Sequence, residues 1–226
     1  MYIKNQKSSL VFKITIVLVA LIGQIIYVSS YGFQQWFYFT HLSNILALVY
    51  FGFASVYLFK RIQEPASKLQ TFLPRVKGGV IIAVTVTLIV YWALLHGRDF
   101  SMDADIYNSL PAIMKTPIPN YIVHLVVPVL TICDWLLFDV KGHFEKYDFI
   151  KWLGIPYLYF GFAIVVAATG YTFPSGSHYP YFFIDFDVLG VQKVALYVVA
   201  LTGFFLILSY LFYLLDRKLG KEYLSK

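Results

Sequence analysis

Charge is scarce in this chain. Only 13% of its 226 residues are Asp, Glu, Lys or Arg, against 59% hydrophobic residues that include 21 Phe and 19 Tyr. A soluble domain of this length has too little interior to hide so much apolar surface, so the composition excludes water as the natural solvent and points to lipid. Cysteine is nearly absent as well. Cys133 is the single one, which excludes an intramolecular disulfide, and no CxxC or zinc-type cluster exists. The net charge of +6 does not indicate nucleic acid. The basic residues fall in short clusters between long apolar runs, the pattern that orients a membrane protein.

What is present is six apolar segments, near residues 9–30, 37–59, 78–97, 119–139, 151–171 and 190–215. Each is long enough to cross the hydrocarbon core as a helix. Polar or Gly- and Pro-rich stretches such as EPASKLQTFLPRVKGG and FPSGSHYP separate them. The expectation is an all-α, polytopic membrane protein, a single domain of six transmembrane helices. The opening KNQKSSLVFK resembles a signal peptide, but its apolar run is too long and VSSYG is a poor cleavage site, so the first helix is expected to be retained.

Orientation follows from Lys and Arg. Lys4, Lys7 and Lys13 precede or open the first segment. Lys60, Arg61, Lys68, Arg75 and Lys77 fall at the second connection, and Lys141, Lys146 and Lys151 at the fourth. Arg217, Lys218, Lys221 and Lys226 close the chain. These 15 of 18 basic residues share one side, expected to be cytoplasmic with both termini. The third connection mixes Arg98 and Lys115 with Asp99, Asp103 and Asp105.

That orientation converts sequence position into depth. FYFTHLSN (37–44), His96, His124 and the aromatic run YTFPSGSHYPYFFIDFD all come to the outer side. Thr40, Ser43, Asn44 and Ala47 recur at i, i+3, i+4, i+7, one small polar stripe, with His41 about a quarter-turn away. Taken alone, the stripe suits helix packing. In HLVVPVLTICDW, Pro128 lacks an N–H, which frees the carbonyl of His124 four residues earlier and bends the helix beside the imidazole. An ionisable group within such a segment suggests either a structural hydrogen bond or a site. Asp134 lies about 15 Å farther along the same helix, too far to orient His124, and is expected to pair elsewhere. Asn44, His41 and the outer loops remain as orienting groups.

DADIYNSL lacks the glycine and terminal glutamate of a calcium loop. His143 and His178 fall in polar connections, and Gly52 and Gly161 suit close helix packing.

The succession FYFTHLSN, YWALLHG, HLVVPVLTICDWLLFDVKG and GYTFPSGSHYPYFFIDFDVLG resembles the prokaryotic six-helix membrane proteins labelled Pr-six-Pr. More distantly it is similar to the animal androgen-induced and androgen-dependent TFPI-regulating proteins. The likeness runs from about residue 30 to the end of the sixth segment. The animal proteins are threonine hydrolases of fatty-acid esters of hydroxy fatty acids, so the resemblance implies Thr40 as nucleophile and His124 as base. It also implies a lipid-like ester as substrate and no cofactor. Ser43 stands where the family often has Thr, and Phe182 where it has Pro. The animal sequences lack the Ser-Asn pair, so no catalytic role passes to Ser43 or Asn44. As substrate-binding or orienting residues the expectation names Asn44, Ser43, His41, His96, Tyr179 and Asp185. Rival classes are a transporter or channel of small molecules or lipids, and a haem protein using His41, His96 and His124. Membrane lipids are the expected partners.

Overall fold

The computed structural model describes residues 3–63, 71–96 and 108–224, without the side chains of 222–224. Lys68, Lys226, Arg98, Asp99, Asp103 and Asp105, with most of DADIYNSL, lie outside the described residues.

Six long apolar helices form the molecule: α1 (Gln6–Tyr31), α2 (Phe39–Ile62), α3 (Pro74–Leu95), α4 (Ile118–Phe138), α5 (Asp148–Ala168) and α6 (Phe186–Leu224). No strand occurs among the described residues. Hydrogen bonding within each segment is what lets backbone enter lipid at all. Local chemistry marks the helix starts. Asn5 Oδ1 accepts the Ser8 N–H at 3.1 Å, and α3 opens on Pro74, whose missing N–H has no use in a first turn. At α6, Asp185 Oδ1 accepts the N–H groups of Asp187 and Val188, each at 3.0 Å.

α3 is the central helix, with 61% of its span buried. On one side Val80 and Val84 pack with Ile16 and Ala20 of α1, Ala47 and Phe51 of α2, and Val127 of α4. On the other, Ile82 and Val86 meet Trp135, Trp152 and Phe205. Lipid tails give helices little hydrophobic reason to associate, so close approach and polar contacts decide the packing. Close approaches occur at Gly78 and Gly79, which lie against Trp152, and at Gly23, which lies against Ile122; a Cβ at Gly78 would fall 2.1 Å from the Trp152 ring. Gly52 and Gly161 correct the expectation of tight packing, since nothing lies within 4 Å of a Cβ at either. A glycine in an apolar run carries no mark of which face it occupies.

At the end of the bundle nearest the termini, charge is buried. Lys13 Nζ lies 2.8 and 3.0 Å from the two carboxylate oxygens of Asp134. Lys77 Nζ also contacts Asp134, and lies 2.5 Å from Asp139. Two ammonium and two carboxylate groups thus neutralise one another and pin α1, α3 and α4 together. Asp134 is paired rather than catalytic, as its position along α4 indicated. Lys13 and Lys77 are not loop charges: both sit inside helices and are buried.

Candidate active site

Thr40 is the second residue of α2, and Tyr38 before it supplies no side-chain cap. His124 sits within a π-helical turn, Ile122–Val126, where the Val127 N–H reaches back five residues to the Ile122 carbonyl. Pro128 lies five residues after Val123, so the N–H this register would offer the Val123 carbonyl does not exist. Asn44 Nδ2 donates to that carbonyl instead, at 3.0 Å. The sequence expectation located the freed acceptor one residue later, at His124. The π turn shifts the register, which hydropathy does not record.

Thr40 Oγ1 and His124 Nε2 lie 3.2 Å apart, and both residues are buried. His124 Nδ1 lies 3.1 Å from the main-chain carbonyl of Asn120. A carbonyl only accepts, so Nδ1 carries the hydrogen. In the neutral ring Nε2 then holds the lone pair, and the Thr40 hydroxyl donates to it. The hydrogen-bond partners thereby assign the tautomer that a general base needs. Asn120 is itself held by Tyr27 of α1, whose hydroxyl donates to Asn120 Oδ1 at 2.7 Å.

Tyr91 covers the imidazole, its ring stacked at 3.6 Å between centroids and 18° between planes. Tyr91 opens a second π turn, Tyr91–Leu95, in which the His96 N–H bonds the Tyr91 carbonyl at 2.7 Å. Two π turns on adjacent helices therefore flank one histidine, and such turns concentrate where a side chain must leave regular register.

Ser43 and Asn44 join Thr40 but have spent their donors. Asn44 Nδ2 gives its hydrogens to the Thr40 carbonyl at 2.7 Å and to Val123. Ser43 Oγ bonds the same Thr40 carbonyl at 2.9 Å and the Thr87 hydroxyl at 2.7 Å. Both brace the first turn of α2. His41 turns away and meets the edge of the Tyr27 ring at 4.5 Å, leaving its buried Nδ1 without a partner. His96 is exposed beside Trp92, 4.4 Å between ring centroids. Tyr179 packs on Phe186, and Asp185, besides capping α6, accepts from Ser177 Oγ at 2.7 Å. The last two organise the loop rather than reach the pair. No group of three or more His, Cys, Asp or Glu side chains placed to hold a metal occurs among the described residues.

A cleft runs from Thr40 between α3, α5 and α6, with about 760 Å³ of atom-free space including its open mouth. Its walls are apolar apart from a few hydroxyls, among them Thr40, Thr87, Thr202, Tyr159 and Tyr181. A hydrogen bond of 2.8 Å between Tyr157 and Thr202 bridges α5 and α6 along it. These are the two least buried helices of the bundle.

Tyr91, Asn120, Tyr27 and Tyr181 were not singled out by sequence. Tyr91 and Tyr181 lie inside the quoted YWALLHG and YPY runs, but nothing there ranks one tyrosine over its neighbours. No protein-family model, curated protein or solved structure matches the chain.

Proposed function

We propose that this integral membrane protein hydrolyses lipid esters, with Thr40 as nucleophile and His124 as general base. The observation that carries the reading is the 3.2 Å contact between a threonine hydroxyl and an imidazole nitrogen whose tautomer is fixed from behind. A threonine hydroxyl is a weak nucleophile until a neighbouring base takes its proton.

In the first half-reaction Thr40 Oγ1 attacks the ester carbonyl carbon and its proton passes to His124 Nε2. The tetrahedral intermediate collapses, the alcohol leaves with that proton, and the acyl group stays on Thr40. Water then attacks the acyl-threonine, again deprotonated by His124. Collapse releases the fatty acid and returns the proton to Thr40.

The imidazolium that forms in each half lacks a carboxylate behind it; the Tyr91 ring face supplies cation–π support in its place. For the oxyanion, the nearest donors are the Phe39 and Thr40 N–H groups, which have no intrahelical acceptor in the first turn of α2 and meet the Tyr181 hydroxyl instead. The apolar cleft holds the acyl chain, which enters from the bilayer. Like the resemblance to the threonine hydrolases, this reading assigns no cofactor.

With Lys and Arg clustered toward the termini, the active site lies in the outer leaflet of a bacterial plasma membrane and both termini are cytoplasmic. A transporter would carry polar groups through the whole depth; here Ala47, Phe51, Val84 and Val127 lie between the Thr40 level and the Lys77–Asp134 level.

Purified protein should form an adduct with a fluorophosphonate probe, and Thr40→Ala and His124→Ala should each abolish it. Labelling that survives both substitutions refutes the assignment.

A further inference from the structure

The loop between α5 and α6 presents one phenol to the reacting hydroxyl. Tyr181 lines the cleft together with Thr40. Three aromatic neighbours set its ring: Phe183 stacked at 5.2 Å and 5°, Tyr38 edge-on at 6.0 Å, and Tyr159 at 6.2 Å. The loop is internally braced, with the Phe173 N–H on the Ser177 carbonyl at 2.8 Å and Ser177 Oγ on Asp185. The Tyr181 hydroxyl is directed at the Thr40 side chain, the N–H groups of Phe39 and Thr40, and the Tyr159 hydroxyl. Tyr159 donates its own hydrogen to the Phe37 carbonyl at 3.0 Å, so it can only accept from Tyr181.

The phenol oxygen therefore occupies the place where two helix N–H groups that lack an intrahelical acceptor converge with the nucleophile, and it serves both of them. Burial pushes its titration upward, while those N–H groups act in the opposite direction by favouring negative charge on the oxygen. Filling space among Tyr38, Tyr159 and Phe183 needs only the ring; the hydroxyl serves the N–H groups of Phe39 and Thr40.

Resting on the hydrolase reading above, we infer that Tyr181 is a catalytic residue whose O–H donates to the carbonyl oxygen of the bound ester as it becomes anionic. The ester carbonyl inserts between the phenol and the amides of Phe39 and Thr40, giving three donors from two chain segments. No proton is transferred: the phenol keeps its hydrogen through both tetrahedral intermediates, and the negative charge returns to the carbonyl on each collapse.

The test is turnover of a p-nitrophenyl ester of a medium-chain fatty acid by the full-length protein in nanodiscs. Tyr181→Phe keeps the ring and removes the donor. Its kcat should fall about 100-fold with KM nearly unchanged, the usual consequence of losing one oxyanion donor, measured at a temperature where its fold persists, since losing this hydroxyl also strips a partner from buried N–H groups and lowers the unfolding midpoint. Ring-fluorinated tyrosines at position 181, which change phenol acidity and little else, should shift kcat in step with that acidity. Wild-type kcat in Tyr181→Phe, alongside an inactive Thr40→Ala, overturns the role of Tyr181 and leaves the nucleophile standing. Undiminished turnover in Thr40→Ala, or none in the wild type, removes the underlying hydrolase reading and this inference with it.

Discussion

Replacing Asp134 with Asn removes the hub of the buried ion cluster and has an outcome that contact counting would get wrong. Asp134 is fully buried and binds two ammonium groups. With an amide in its place, Lys77 keeps Asp139 at 2.5 Å. Lys13 keeps the Ser9 hydroxyl, at 3.0 Å, and the Phe138 ring face, but no bonded carboxylate. One buried cation is then uncompensated, a situation that costs about 3–5 kcal/mol. Adding Lys13→Met to the same chain deletes a second ionic partner, yet it restores neutrality, because Lys77 and Asp139 remain as a closed pair. The double variant should therefore be more stable than Asp134→Asn alone. Reversible unfolding in mixed micelles, read by tryptophan fluorescence with Trp135 and Trp152 buried in the core, measures both. A single variant within about 1 kcal/mol of wild type would mean that the cluster is hydrated and not buried as described. A double variant weaker than the single one would refute the compensation argument.

Two other expectations follow from groups on either side of the bundle. Tyr91→Leu keeps an apolar cover over His124 but removes the ring face that supports the imidazolium; for a contact of about 0.5–2 kcal/mol, fluorophosphonate labelling should slow by roughly 2- to 30-fold, and an unchanged rate would discard that role. Lys141, whose ammonium bonds the Trp135 and Asp139 carbonyls at 2.5 and 2.9 Å, has its titration pushed down by burial to about 8. Between that value and the ordinary lysine range the unfolded chain holds a proton that the folded chain has released, so this residue makes stability rise with pH across that window. Site-resolved acylation by an amine reagent should show Lys141 reacting with a midpoint near 8; a midpoint in the ordinary lysine range near 10.4 contradicts its burial.

The six helices were legible because hydropathy over some twenty residues is a property of composition, indifferent to neighbours. Thr40 and His124 were legible as a pair through depth: antiparallel crossings place both near one end, and the resemblance singles them out. What sequence could not carry was direction around each helix and hydrogen-bond register. Lys13 and Lys77 counted as surface charges because a charge tally has no depth, and their partner Asp134 lies far away in the chain. The π turns at Tyr91 and Ile122 alter which carbonyl goes unserved without changing residue type. Tyr181 differs from Tyr179 in its neighbours, Tyr38, Tyr159 and Phe183 against Phe186, and the palindrome YPY carries no mark of that difference. Asp185, expected near substrate, serves as a helix cap, a role that the adjacent apolar run starting at Phe186 permits but does not demand.

The acceptor behind His124 is main chain, belonging to Asn120. Every amino acid brings that oxygen, so no exchange of side chain at position 120 takes it away while the helix keeps its path. Alanine at position 120 would break the contact with Tyr27 but leave the oxygen behind His124 in place. Mutational drift can erase the Thr40 hydroxyl or the His124 imidazole in one step, but the oxygen that orients the imidazole is written into the backbone and is inherited with the fold.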